Sequence, residues 1–103
     1  MKEWTQQDIK NLVKDKKTAV IYFYTPLCGT CQVGGKMLEV VSELLPSIPF
    51  GKADLNYMPD LAKEILIESV PCIMLVKDGE WMEKIYALRS VPYLLDKIKT
   101  IIN

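Results

Sequence analysis

Histidine is missing from this chain altogether, and cysteine is scarce, with three residues in 103. Without an imidazole, a mononuclear zinc site would have to draw on all three cysteines plus a carboxylate, or on two protomers. Three cysteines are also too few, and odd in number, for a disulfide scaffold. Neither sign of charge is in excess, with 13 Lys+Arg against 13 Asp+Glu, so no field draws the chain to nucleic acid or acidic lipid. No stretch approaches the roughly 20 apolar residues of a membrane span. Met1–Asp8 lacks an apolar leader core, and a cytoplasmic protein is expected. Repeats, linkers, low-complexity tracts and a glycine-rich nucleotide loop are lacking as well. One small domain over residues 1–103, a monomer with no bound cofactor or metal, is the expectation.

What the chain does contain is Cys28-Gly29-Thr30-Cys31, set directly after the apolar run Ala19–Tyr24 and ahead of an amphipathic stretch. The run is rich in β-branched and aromatic residues and reads as a strand covered on both faces. Behind the cysteines, Val33, Met37, Val40, Val41 and Leu44 recur at helical spacing until Pro46 and Pro49. Two thiols thus stand one turn apart at a strand-to-helix junction, where free N–H groups and the helix dipole stabilise a thiolate. In a reducing compartment such a pair is catalytic or metal-binding rather than structural.

Other segments follow the same logic. Thr5 and Asp8 open a helix over about 6–15, with Ile9, Leu12 and Val13 on its apolar face. Residues 50–55 alternate as a strand, and Pro59 begins a helix burying Leu61, Ala62, Ile65 and Leu66. Cys72–Val76 is a further strand, and Lys77-Asp78-Gly79-Glu80 turns it into a return strand from Trp81 to Tyr86. Ser90 caps a last helix whose apolar residues are Val91, Leu94, Leu95, Ile98, Ile101 and Ile102. Trp4, Trp81, Met82 and Tyr93 read as packing residues. The fold class is α/β, a mixed sheet of about four strands with helices on both faces and a C-terminal hairpin plus helix.

The aromatic strand, the Cys28-Gly29-Thr30-Cys31 helix start, Val70-Pro71 before the next strand and the Lys-Asp-Gly turn together resemble thioredoxin, from Thr5 to the final helix. From position alone, Cys28 at the exposed helix edge is the nucleophile, with a pKa expected below the ordinary ~8.5. Cys31, three residues on, is the resolving thiol. Pro71 by itself is either an ordinary strand-entry proline or cis. The resemblance implies a cis proline beside the cysteines. It also implies that Val70 pairs its backbone with a protein substrate, in a groove shaped by Leu27, Gly29, Thr30, Val70 and Pro71. A protein-disulfide oxidoreductase, recharged by a separate thioredoxin-reductase-type donor, is the implied function. Alternatives are an interaction module of the same fold with weak redox activity, or a cysteine-ligated metal protein.

Several positions depart from the family pattern. Leu27 stands for the usual tryptophan and Thr30 for the usual proline. Thr30 brings a donor to the Cys28 thiolate and is expected to make the couple less reducing than the ~−270 mV of thioredoxin. Tyr22 replaces a buried aspartate, leaving Lys52 to pair with Asp54 as a surface ion pair and Cys31 to lose its proton to water, Lys52 or Asp54. Gly34-Gly35, ahead of Lys36 where the family has a helix proline, either bend the helix or pack it closely. Ala87 replaces a groove glycine. Cys72 is a small core residue or a third thiol near the pair.

Overall fold

The computed structural model describes residues 1–103. Strand β2 (Ala19–Tyr24) occupies the middle of a five-stranded sheet of order β1-β3-β2-β4-β5. β3 (Phe50–Asp54) runs parallel to it, and β4 (Cys72–Lys77) runs antiparallel on the other side. All but the last residue of β2 are buried, as its unbroken apolar run requires. β5 (Glu80–Ile85) returns antiparallel to β4 through a turn in which Asp78 and Gly79 have φ of 51° and 80°. Two successive positive-φ residues give the twist that a tight hairpin needs. The register passes from Leu75↔Glu83 to Val76↔Trp81, leaving Met82 as a bulge on this edge strand.

The fifth strand is β1 (Lys2–Glu3), which pairs parallel with β3. Two exposed polar residues carry no alternation that a sequence reading can register, so the expected four strands become five. Trp4 continues the contact by donating its N–H to the Lys52 carbonyl at 2.8 Å.

Helices cover both faces. α1 (Gln6–Lys14) begins in a reciprocal capping box, the Asp8 N–H donating to Thr5 Oγ1 and the Thr5 N–H to the Asp8 carboxylate. With α3 (Pro59–Glu64) it covers a core layer containing Ile9, Phe23, Leu61, Cys72 and Met74. On the opposite face, α2 (Gly29–Leu44) and α4 (Val91–Ile102) cover Val20, Tyr22, Leu38, Ile73 and Leu94. Ser90 caps α4, accepting the Tyr93 N–H at 3.2 Å. No helix is long and apolar enough to cross a membrane.

Two apolar faces differ from expectation. α2 buries Cys31, Gly34, Leu38 and Val41, whereas Val33, Val40 and Leu44 are exposed. The helix carries two neighbouring stripes, and the one containing glycine, which an apolar count undervalues, approaches the sheet more closely. α3 ends earlier than expected, in a Schellman motif: the Leu66 N–H reaches the Lys63 carbonyl and the Ile67 N–H the Ala62 carbonyl. Leu66 therefore sits outside the helix, exposed, at a φ of 57° where glycine is the usual residue.

That conformation costs a leucine about 1 kcal/mol. Leu66→Gly is expected to raise the free energy of unfolding by up to about 1 kcal/mol, measured by urea denaturation; a loss of stability would show that the exposed leucyl side chain outweighs the backbone strain.

Candidate active site

β2 ends at Tyr24, and the chain turns through Thr25, Pro26 and Leu27 into the N-terminus of α2. Cys28 is the N-cap, with extended backbone (φ −89°, ψ 107°), and its sulfur occupies the position usually taken by a serine or aspartate oxygen. The Cys31 N–H donates to Cys28 Sγ at 3.1 Å. The Thr30 hydroxyl lies 3.3 Å from the same sulfur, the contact expected from its replacing a proline. Cys28 and Cys31 are joined in a disulfide, with their Cα atoms 5.2 Å apart. Cys28 is half-buried at the rim, while Cys31 lies beneath the helix at 4% exposure.

The floor of the site is Tyr22. It is buried, and its hydroxyl donates to the Cys31 carbonyl at 2.6 Å. A Cβ on Gly34 would fall 2.6 Å from that hydroxyl and would also strike Leu88. Close packing, not a bend, is thus what Gly34 provides, and α2 runs unbroken from Gly29 to Leu44. Burial pushes the Tyr22 phenol up to about 12, so near neutral pH it donates a hydrogen bond and takes no proton. A cleft of about 380 Å³ beside it reaches Cys31 and is lined in part by Tyr24, Lys36, Glu39 and Lys52.

The expected Lys52–Asp54 ion pair does not form. Asp54 is at the end of β3, where its carboxylate accepts the Asn56 N–H at 3.0 Å and caps the 3₁₀ turn Leu55–Tyr57. Lys52 instead lies over the Tyr24 ring, 5.7 Å from its centroid. Capping a turn satisfies the buried carboxylate locally, leaving the lysine to the aromatic face.

Leu27, Gly29 and Thr30 are exposed around Cys28, Leu27 at 99%. The Val70–Pro71 peptide is cis and both residues are half-buried. Because Cys72 pairs with Phe23, that peptide lies beside the end of β2 that leads into Cys28. Ala87 is exposed just after β5. Cys72 belongs to the α1/α3 core layer, on the sheet face opposite Tyr22 and α2. It is a buried core residue, and the sheet separates its thiol from the pair.

The family model for thioredoxin matches residues 1–100. The chain belongs to the thioredoxin family. It is 46% identical over 99 residues to the thioredoxin-like protein YusE of Bacillus subtilis, covering 96% of this chain and 92% of that one. Mitochondrial thioredoxin-3 of Saccharomyces cerevisiae is 35% identical over 90 residues, 87% of this chain and 69% of the yeast protein. The crystal structure of the oxidised form of that yeast thioredoxin superposes with a TM-score of 0.84 at 31% identity, covering 97% of this chain and 94% of the other. The protein is a thiol–disulfide oxidoreductase, and the Cys28–Cys31 disulfide is its redox-active couple. The resemblance put Tyr22 in the place of an aspartate that serves Cys31, but the hydrogen bond from its hydroxyl to the Cys31 backbone carried no signal in the apolar strand itself.

Of the acid groups that burial shifts upward in this fold, Cys72 and Tyr22 are the two that lie in the core layers. Burial pushes the Cys72 thiol from 9.0 up to about 11, against the weaker pull of the Tyr86 hydrogen bond and the Lys84 charge, and Tyr22 from 10.0 up to about 12. Each unfolded group ionises at a lower pH than its folded counterpart, so the stability held by the neutral form is complete below pH 9 and is lost as pH rises to 11 and 12. Urea denaturation across that range is expected to show a falling limb whose onset moves to higher pH in Cys72→Val; an unchanged limb would remove Cys72 as its cause.

Proposed function

We propose that Cys28 attacks disulfides of protein substrates and that Cys31 resolves the resulting mixed disulfide. The observation that carries this reading is the asymmetry of the pair: one sulfur at the rim accepting the Cys31 N–H, the other at 4% exposure beneath α2. In the first step the Cys28 thiolate bonds to one substrate sulfur and the other leaves as a thiolate. In the second the Cys31 thiolate attacks Cys28 Sγ, the substrate departs with its disulfide reduced to two thiols, and Cys28–Cys31 is left oxidised. The proton of Cys31 leaves through the cleft lined by Lys36, Glu39 and Lys52, because no carboxylate stands in the place of Tyr22.

Leu27, Gly29 and Thr30 form one side of the substrate surface and the backbone of Val70, turned by Pro71, the other; strand-like pairing to Val70 supports recognition of an extended polypeptide. A separate thioredoxin-reductase-type donor returns the couple to the dithiol. The reading places a monomer in the cytoplasm, where a single dithiol pair works in the reducing direction.

With insulin as substrate, Cys31→Ser is expected to trap a covalent adduct visible by mass spectrometry, while Cys28→Ser forms none. An adduct through Cys31 in the Cys28→Ser protein would reverse the two roles. The Thr30 hydroxyl, as a donor stronger toward a thiolate than toward a disulfide sulfur, raises the potential. Thr30→Val is therefore expected to lower it by about 10–30 mV in a glutathione redox titration, the effect of a fraction of one hydrogen bond; an unchanged or higher value would remove Thr30 from the tuning of the couple.

A further inference from the structure

Between α3 and β4, residues Ile65 to Val70 have neither helix nor strand, and they deliver the cis Val70–Pro71 peptide to the site. The Schellman end of α3 uses the N–H groups of Leu66 and Ile67. It leaves the carbonyls of Ile65 and Leu66, and the N–H of Glu68, for partners elsewhere. β5 and the residue after it supply all of them. The Lys84 ammonium donates to the Ile65 carbonyl at 3.1 Å and to the Leu66 carbonyl at 2.8 Å. The Tyr86 hydroxyl accepts the Glu68 N–H at 3.1 Å.

Lys84 and Tyr86 stand two residues apart and reach toward the same connection. Lys84 lies opposite Met74, a residue of the α1/α3 core layer. Tyr86 packs against the same α1/α3 core layer, which also contains Cys72, directly after Pro71. β5 and the residue after it therefore hold the connection at two places, at its α3 end through Lys84 and at Glu68 in its middle through Tyr86. Leu66, strained at a φ of 57°, would otherwise have cause to relax and carry the downstream residues with it.

We propose that Lys84 and Tyr86 are positioning residues that clamp the 65–71 connection, and so hold the Val70 backbone in the orientation a protein substrate needs. The inference rests on the assignment of Val70 to substrate pairing made above. Neither residue takes part in the sulfur chemistry. A substrate polypeptide that must form strand-like bonds to Val70 depends on the clamp, because an unclamped connection has to be ordered during binding. A small disulfide that reaches only Cys28 does not depend on it.

The test compares wild type, Lys84→Met, Tyr86→Phe and the donor-retaining Lys84→Arg in the reduction of insulin and of hydroxyethyl disulfide, together with amide hydrogen exchange. The expected result is a rise in KM for insulin of about fivefold in Lys84→Met and in Tyr86→Phe, the worth of one hydrogen bond. kcat and the rate with hydroxyethyl disulfide stay at the wild-type level, Lys84→Arg behaves as wild type, and the Glu68 amide exchanges faster in Tyr86→Phe. An unchanged KM in both variants overturns the proposal, and so does a parallel loss against both substrates, which is the mark of general damage. Should the wild type reduce neither disulfide, it is the assigned exchange chemistry that fails, and the Glu68 amide alone decides the clamp: faster exchange in Tyr86→Phe upholds it, and unaltered protection overturns it.

Discussion

Gly34 is the point on which the active pair turns. Any side chain there would meet the Tyr22 hydroxyl and Leu88, so the bare backbone is what allows α2 to settle onto β2. With the helix at that distance, the Cys31 carbonyl comes within hydrogen-bonding reach of Tyr22, and Cys31 itself goes under the first turn. Cys28, one turn earlier, is left at the rim as the N-cap. The difference in exposure between two chemically identical thiols is therefore set by how closely a helix lies on a sheet. Interior packing is dense enough that one methyl group at Gly34 would be felt at the sulfur.

Tyr22 fills with a neutral group a position beneath Cys31 where an ionised side chain would be costly without a partner. Its ring belongs to the core layer with Val20 and Ile73, and only its hydroxyl is polar, spent on one backbone carbonyl. The charged groups of the cleft beside the disulfide are Lys36, Lys52 and Glu39, the last paired with the Met1 ammonium. Lys52 accordingly has no buried anion to neutralise, and it rests on the Tyr24 face. The residue type at this one sheet position thus bears on the lysine beside it as well as on the cysteine above it.

Most of the fold was legible because its signals are local. The run Ala19–Tyr24, the Thr5/Asp8 capping box, the Asp78-Gly79 turn and the Ser90 cap each act within a few residues, and each appears where the sequence placed it. The placement of Cys28 and Cys31 at a helix start was legible for the same reason. What escaped depends on partners distant in the chain. The buried stripe of α2 is chosen by the contact of Gly34 with Tyr22, β1 is too short to have a period, and Leu66 adopts a left-handed backbone that its residue type argues against. Asp54 was misread because, as a neighbour of Lys52 on one strand face, it suggested a pair; a strand-end aspartate has a nearer donor in the turn that follows. Lys84 and Tyr86 look like ordinary edge-strand residues until the connection they hold is in view.

The fate of the third cysteine shows how much chemistry a strand register controls. Side chains of β4 alternate between faces, so pairing Cys72 with Phe23 and Ile73 with Tyr22 sends the thiol into the α1/α3 layer and the isoleucine beneath α2. A slip of one residue would reverse this and put a sulfur on the side of the redox pair. It would also exchange Ile73 and Leu75 for Cys72, Met74 and Val76 in two cores already packed around the present set, and it would pull the Val70–Pro71 peptide away from the end of β2. The register is therefore fixed many times over by packing. That keeps Cys72 a neutral, buried thiol on the far side of the sheet from the reactive pair, and it lets the chain carry an odd cysteine without offering its own disulfide an internal competitor.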